Sequence, residues 1–456
     1  MSTHSVDVAV VGAGTSGCYA AATLGQAGFD VAVVERKSEE EAGHIACGDA
    51  LKGANKFPSA IPKSTLEPAF TNTEVDHGRF EVPRQGVELD IPVPGELAVI
   101  DRMEYGRLLI DTADAAGATF HYDTVVQDVQ QNDDGRVVGL TASRGGDPVE
   151  YDAEMVLDCA GALSILQEKT DFSGTTFDTN VRYSQFSSAY REIIEVEEPV
   201  DWSDALVLKP TKRSAGYLWY FPRTPTEINV GLGFQMNEEP MKLVDDLRED
   251  IADRPEFQNG TVVDKLGAAL PTRRTYDSAV APGFIAAGDS AAHVNPISGG
   301  GIAGAAYAGK YAAEQAIEAI ETGDASEESL WEYNSRVIDH FGARYAALDV
   351  YNIFSTAYEI SDLTALAGAL PGKQIADALY SGSSGVSPWL ALKTLWKARG
   401  HLDTLRDLYA TKDIADDLLA HYESYPDAPG DFAAWQSERD RIMEDVYAKT
   451  GAKPKY

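Results

Sequence analysis

Residues Val6–Glu35, VDVAVVGAGTSGCYAAATLGQAGFDVAVVE, decide the fold. Val6–Val11 is the near-continuous apolar run of a strand buried on both faces. Gly12-Ala13-Gly14-Thr15-Ser16-Gly17 turns the chain, an Ala-rich helical stretch runs to Gly28, and a second apolar run from Asp30 to Val34 ends at Glu35. Strand, glycine turn, helix and strand in this order form a βαβ unit. Gly12 permits the tight turn, Gly14 lets a pyrophosphate approach the backbone, and Gly17 lets helix and strand pack closely. The helix N-terminus faces the phosphates with free N–H groups, and Glu35 closes the second strand where a carboxylate can bind both ribose hydroxyls. A lone GxGxxG is a weak signal, but strand, helix and distal acid together predict dinucleotide binding.

Working outward, 456 residues suggest two or three domains, or one large domain with an appendage. The predicted class is α/β with an α+β insert: a Rossmann-like nucleotide-binding domain, an inserted antiparallel sheet, and a helical C-terminal region. The expected boundaries are 1–65, 99–165 and 270–325 for the discontinuous first domain, 66–98 and 166–269 for the substrate domain, and 326–456 for the helices. Arg102 to Ala115 reads as an amphipathic helix, Thr119 to Val138 as a strand and hairpin closed at Asp134-Gly135, and residues 180–235 as antiparallel sheet. Short buried strands are expected at Met155 to Asp158 and Gly283 to Ala287, and a long helix from Gly299 to Glu321.

The charge balance excludes one class of partner. Asp and Glu number 72 against 38 Lys and Arg, a net charge of -34, and a field of that sign repels nucleic acid. The acids are dispersed, as in a solvated coat suited to a high-salt cytoplasm. Cys18, Cys47 and Cys159 are too few and too separated for a disulfide framework or a metal cluster, so no metal is expected. The N-terminus lacks a signal-peptide pattern, and no apolar run approaches the ~20 residues of a membrane span. The expected location is the cytoplasm; the stretch 387–399 reads either as an amphipathic helix packing its Trp face on the body of the protein or as a peripheral membrane contact. That stretch, SPWLALKTLWKAR, places Trp389, Leu392 and Trp396 on one helical face beside Lys393 and Lys397.

Gly288-Asp289 follows a short buried strand and precedes a glycine-rich helix start. It resembles the second FAD fingerprint of flavoproteins related to aromatic hydroxylases, in which the aspartate binds the ribityl chain. Asp158-Cys159-Ala160-Gly161 resembles that superfamily's intervening Asp-Gly element, with cysteine at an unusual position. Arg102 falls where the superfamily has an arginine near the flavin pyrophosphate. Gly299-Gly300-Gly301-Ile302 opens the long helix, whose N-terminal partial charge would stabilise reduced flavin. The implied cofactor is FAD. No second GxGxxG is present, so electrons are expected from an external donor.

Tyr217-Leu218-Trp219-Tyr220-Phe221-Pro222 carries the more specific likeness. On a strand, Tyr217, Trp219 and Phe221 share a face. By composition alone this is an ordinary sheet core. The pattern YxWxFP, however, resembles the substrate-domain motif of the geranylgeranyl reductase family, and with the FAD fingerprints and Cys47-Gly48-Asp49-Ala50 the likeness covers roughly residues 6–325. It implies Cys47, Gly48 and Ala50 as flavin-contacting positions and Val126 as an adenine-side backbone contact. It also implies a prenylated lipid substrate, and nicotinamide, ferredoxin or deazaflavin as electron donor. Protonating a trisubstituted alkene develops a tertiary cation that accepts hydride, and dry π-rich walls favour such a cation. Cys47, Tyr217 or a bound water are the candidate proton donors, while Cys18 and Cys159 read as inert core. The alternatives are a flavin monooxygenase or halogenase on the same scaffold, a reductase of quinone side chains, and a non-enzymatic lipid-binding flavoprotein. A diphosphate substrate would need clustered Lys and Arg, and Arg273-Arg274 is the only tight pair near the site region; its bland alternative is a surface pair.

Overall fold

The computed structural model describes residues 2–53, 56–82, 86–93, 95–211, 216–236, 239, 241–369 and 401–456. The first sheet takes its strands from distant parts of the chain. Ser2–Val11 lies at its centre, parallel to Val31–Val34 on one side and to Asp147–Asp158 on the other. Thr119–His121 and Phe284–Ala286 extend it in parallel. Every residue of Val31–Val34 is buried, as a strand covered on both faces requires. The hairpin of Thr124–Gln131 and Val137–Arg144 pairs antiparallel with the start of Asp147–Asp158.

Among the described residues the second sheet has seven strands and is antiparallel except where Ala205–Pro210 runs parallel to His77–Val82. Its strand Gly216–Pro222 sits between Ala205–Pro210 and Glu227–Gln235. Side chains alternate across this strand with the period of two that extended backbone imposes. Leu218 and Tyr220 join the core beneath the helix Met241–Ala252. Trp219 and Phe221 join a separate cluster with Val75, Leu97, Val99 and Leu206, against which Tyr217 packs. Leu97 and Val99 belong to a three-stranded sheet of Ala50–Lys52, Leu97–Ile100 and Phe70–Asn72. The aromatic face is therefore the face turned toward this three-stranded sheet.

The helices after residue 326 are not a free appendage. Trp331, Phe341, Leu418 and Val446 belong to the same apolar cluster as Val8 and Val33 of the first sheet. Among the described residues no helix is long and apolar enough to cross a membrane. The segment 387–399, singled out for its Trp and Lys pattern, lies outside the described residues.

Candidate cofactor and substrate site

The glycine turn is closed by contacts that only glycine allows. Gly12 has φ +100°, and a Cβ there would stand 2.4 Å from the Cys159 carbonyl oxygen. At Gly17 a Cβ would stand 1.9 Å from the Gly12 oxygen. At Gly14 an added Cβ would meet only Ile45 Cδ1, at 3.9 Å, so the space above it is open to a ligand. Glu35 is held at the strand end: its Oε2 accepts from the Ala13 N–H and its Oε1 from the Lys37 N–H, both at 2.8 Å. The Glu35 carbonyl accepts from the Thr124 N–H at 2.9 Å, which brings the strand bearing Val126 alongside, Val126 registered opposite Ala142.

Arg102 opens the helix Arg102–Ala115, whose N-cap Asp101 accepts from the N–H groups of Met103 and Glu104. The arginine is 3% exposed. Its Nη2 donates to Thr15 Oγ1 at 3.2 Å, while its Nη1 is buried without a partner. A buried cation left in this state costs several kcal/mol unless a counter-charge arrives. Asp289 lies close enough to feel it: burial raises the Asp289 carboxyl to about 6, opposed by the Arg102 charge. The N-cap of the helix Ile302–Thr322 is Gly301, and no side chain caps it. A Cβ on Gly301 would stand 3.6 Å from Asp289 Oδ1, so the helix N-terminus formed by Gly300, Gly301 and Ile302 adjoins Asp289.

Asp158 is turned inward. Its Oδ1 accepts from the Ala160 N–H (3.1 Å) and Ser164 Oγ (2.9 Å), and its Oδ2 from Gln167 Nε2 (3.0 Å). Its own carbonyl accepts from Ser290 Oγ at 2.6 Å and from the Ala287 N–H at 2.9 Å. With its carboxylate occupied by protein donors, Asp158 ties the strand end beside Gly12 to the Gly288-Asp289 turn.

The cysteine loop and the aromatic strand meet. A Cβ on Gly48 would stand 3.2 Å from the Phe221 ring and 3.4 Å from Trp219 Nε1. Trp219 Nε1 donates to Asn229 Oδ1 at 2.8 Å, and Asn229 Nδ2 donates to the Cys47 carbonyl at 2.8 Å. The Asp49 N–H donates to Cys47 Sγ at 3.2 Å. Burial raises the Cys47 pKa, and the Asp49 charge adds to it, so at neutral pH the side chain is a protonated thiol. Tyr217 Oη donates to the Ser298 carbonyl at 2.7 Å, joining the strand to the loop that precedes Gly299–Gly301. Burial pushes its pKa up to about 12, with the Cys47 charge adding to the shift.

Residues 5–340 match the FAD-binding domain family. The chain belongs to that family. This flavoprotein is 25% identical over 459 aligned residues to a digeranylgeranylglycerophospholipid reductase of Sulfolobus acidocaldarius, covering 96% of this chain and 97% of the relative. It is 29% identical to digeranylgeranylglycerophospholipid reductase 2 of Methanopyrus kandleri, over 81% and 91% of the two chains. A geranylgeranyl bacteriochlorophyll reductase-like protein of Thermoplasma acidophilum shares the fold, with a TM-score of 0.73 and 22% identity over 90% of this chain and all of the other.

The site of the flavoprotein fits FAD on its own evidence. The open space at Gly14 and the unpartnered Arg102 Nη1 suit a pyrophosphate. Asp289, whose carboxylate accepts no hydrogen bond from the described residues, suits the hydroxyls of a ribityl chain. The uncapped helix at Gly301 suits a flavin's partial negative charge.

Sequence reasoning missed three residues of this site and misjudged two others. Asn229, Asp49 and Arg223 form a buried network behind Cys47. The one local signal was an asparagine inside the apolar strand Glu227–Gln235. Arg273 and Arg274 are neither a surface pair nor open to a diphosphate. Both are buried, Arg273 against Asp178 and Gln185, and Arg274 against Asp277 with its guanidinium over the Tyr456 ring. Arg273 is ion-paired with Asp178, and Arg274 with Asp277, which also accepts from the Tyr422 hydroxyl of a C-terminal helix. Cys18 and Cys159 are buried, and burial raises the Cys159 thiol to about 12.

Proposed function

We propose that this flavoprotein is a reductase that saturates carbon–carbon double bonds of geranylgeranyl chains in archaeal membrane lipid precursors. One observation carries the reading beyond the names of its relatives: Gly48 of the cysteine loop packs directly on Trp219 and Phe221. Two motifs far apart in sequence thus form one wall, beside the helix N-terminus and Arg102.

The division of labour follows from the side chains. Gly12, Gly14, Gly17 and Glu35 would hold the adenosine half of FAD, with Val126 on the adenine side. Arg102 would neutralise the pyrophosphate, and Asp289 would accept from the ribityl chain. Gly48, Ala50, Gly300, Gly301 and Ile302 would surround the ring. Bound FAD, reduced by an external donor, supplies hydride. Trp219 and Phe221 exclude water and present π-faces that favour a developing cation on an alkene carbon. Cys47, a protonated thiol, holds a proton at Sγ beside that wall. Tyr217 holds one at Oη, but spends it on the Ser298 carbonyl, which makes Cys47 the better placed donor. Trp and Lys alternate in the sequence 387–399 with the make-up of an interfacial segment, through which the enzyme would meet a bilayer and its lipid substrate.

The test is anaerobic. Reduced protein mixed with a geranylgeranyl ether lipid should be reoxidised, and mixed with the saturated lipid it should not. Equal, slow reoxidation by both lipids would defeat the proposal; in a separate aerobic assay, rapid oxygen uptake with reductant alone would favour a monooxygenase.

A further inference from the structure

Asn229 is fully buried in a strand whose neighbours Ile228 and Val230 are fully buried apolar residues. A carboxamide offers two N–H donors and one oxygen; here the oxygen is used within the sheet and the N–H groups on the cysteine loop. The oxygen takes the Trp219 indole N–H, and Nδ2 donates both to the Cys47 carbonyl and to Asp49 Oδ2, the latter at 2.6 Å. Asp49 is fully buried with φ +66°, a conformation rare for a residue bearing a Cβ and one that persists only where its surroundings over-determine it. Those surroundings are Asn229 and Arg223, whose Nε and Nη2 reach Asp49 Oδ2 at 2.8 and 2.7 Å. Arg223 Nη1 also stands 3.6 Å from Asp101 Oδ2, the cap of the helix that begins with Arg102. One pair of side chains thus ties the aromatic strand, the cysteine loop and the Arg102 helix together.

We propose that Asn229, acting with Asp49 and Arg223, is the positioning residue of this site: it fixes the Cys47–Ala50 loop in register with Trp219 and Phe221, and so sets where the Cys47 thiol stands. A valine would fill the same strand position with no polar group to satisfy. A buried amide is costly unless every bond is made, and both bonds from Nδ2 go to the loop. The effect on turnover rests on the reductase reading; the effects on the thiol and on the flavin spectrum do not.

The experiment uses the full FAD-loaded chain and two variants. In Asn229→Asp the donor to the Cys47 carbonyl is lost and a second carboxylate faces Asp49. In the double variant Asp49→Asn with Asn229→Asp, one carboxylate is kept for Arg223 and the Trp219 indole keeps an acceptor, but nothing at 229 donates to Cys47. Iodoacetamide labelling, read by peptide mass to separate Cys47 from buried Cys18 and Cys159, should accelerate about tenfold in both variants, the effect of one lost hydrogen bond on local opening. The flavin circular dichroism should change in both, and the double variant should regain the thermal stability that the single one loses. With lipid, kcat should fall up to about 100-fold and KM little. If Asn229→Asp does not fold, Asn229→Ser carries the same measurements. Labelling and flavin dichroism unchanged from wild type, or restored in the double variant along with its stability, would overturn the proposal. A wild-type protein that turns over no lipid would end the reductase reading and leave the labelling result to decide this one.

Discussion

Replacing Arg102 with methionine should separate cofactor binding from folding. The side chain is 3% exposed, donates one hydrogen bond to Thr15 and has no carboxylate within ion-pair distance among the described residues. In the FAD-free protein it is a buried cation with no ion-pair partner among the described residues, so an apolar side chain of similar length should cost little. The FAD-free variant should unfold within about 1 kcal/mol of wild type in urea, or be more stable. With FAD the sign reverses. A hydrogen bond to a charged group contributes about 1.5–3 kcal/mol, which at about 1.4 kcal/mol per decade weakens FAD binding roughly 10- to 150-fold. Titration of FAD-free protein with FAD, followed by flavin fluorescence, measures the loss. An unchanged FAD affinity would refute the reasoning. So would a FAD-free variant destabilised by more than about 3 kcal/mol, which would show that the protein itself supplies the counter-charge.

Other outcomes follow from the same geometry. Burial raises the Asp289 carboxyl to about 6, so the FAD-free folded state holds this proton more tightly than the unfolded chain. Asp289 therefore subtracts stability as pH rises from about 4 through about 6, and the difference in stability between wild type and Asp289→Asn should grow over that window and be flat above it. FAD binding should strengthen through the same window in wild type and not in the variant, because the carboxylate is the stronger acceptor. Trp219→Leu removes the π-face, leaves Asn229 Oδ1 without its donor and should lower stability by about 1–3 kcal/mol while FAD content holds and alkene reduction falls. Wild-type turnover in that variant would make the strand an ordinary core. With a net charge of -34, the melting temperature should rise between low and molar salt as self-repulsion is screened; a fall would remove the inference of a high-salt cytoplasm.

What the sequence revealed and what it concealed divide along one physical line. The glycine turn was legible because Gly12 and Gly17 answer to constraints within one βαβ unit, and Glu35 follows from the length of that unit. The shared face of Trp219 and Phe221 was legible because extended backbone alternates with period two, and the structure places both in one cluster away from Tyr220. The network behind Cys47 was not legible. Asn229 and Asp49 are 180 residues apart, and neither stands in a local pattern that announces the other. Arg273 and Arg274 misled for the same reason: two adjacent cations look exposed until Asp178, Asp277 and Tyr456 arrive from elsewhere in the chain.

The central claim is that this flavoprotein reduces isolated prenyl double bonds. The most direct test is mass spectrometry of an unsaturated archaeal ether lipid after incubation with chemically reduced, FAD-loaded protein in high salt. The account predicts products heavier by two hydrogens for each double bond saturated, in steps that depend on the protein. Complete recovery of unchanged lipid beside a fully reduced, correctly loaded enzyme would contradict it.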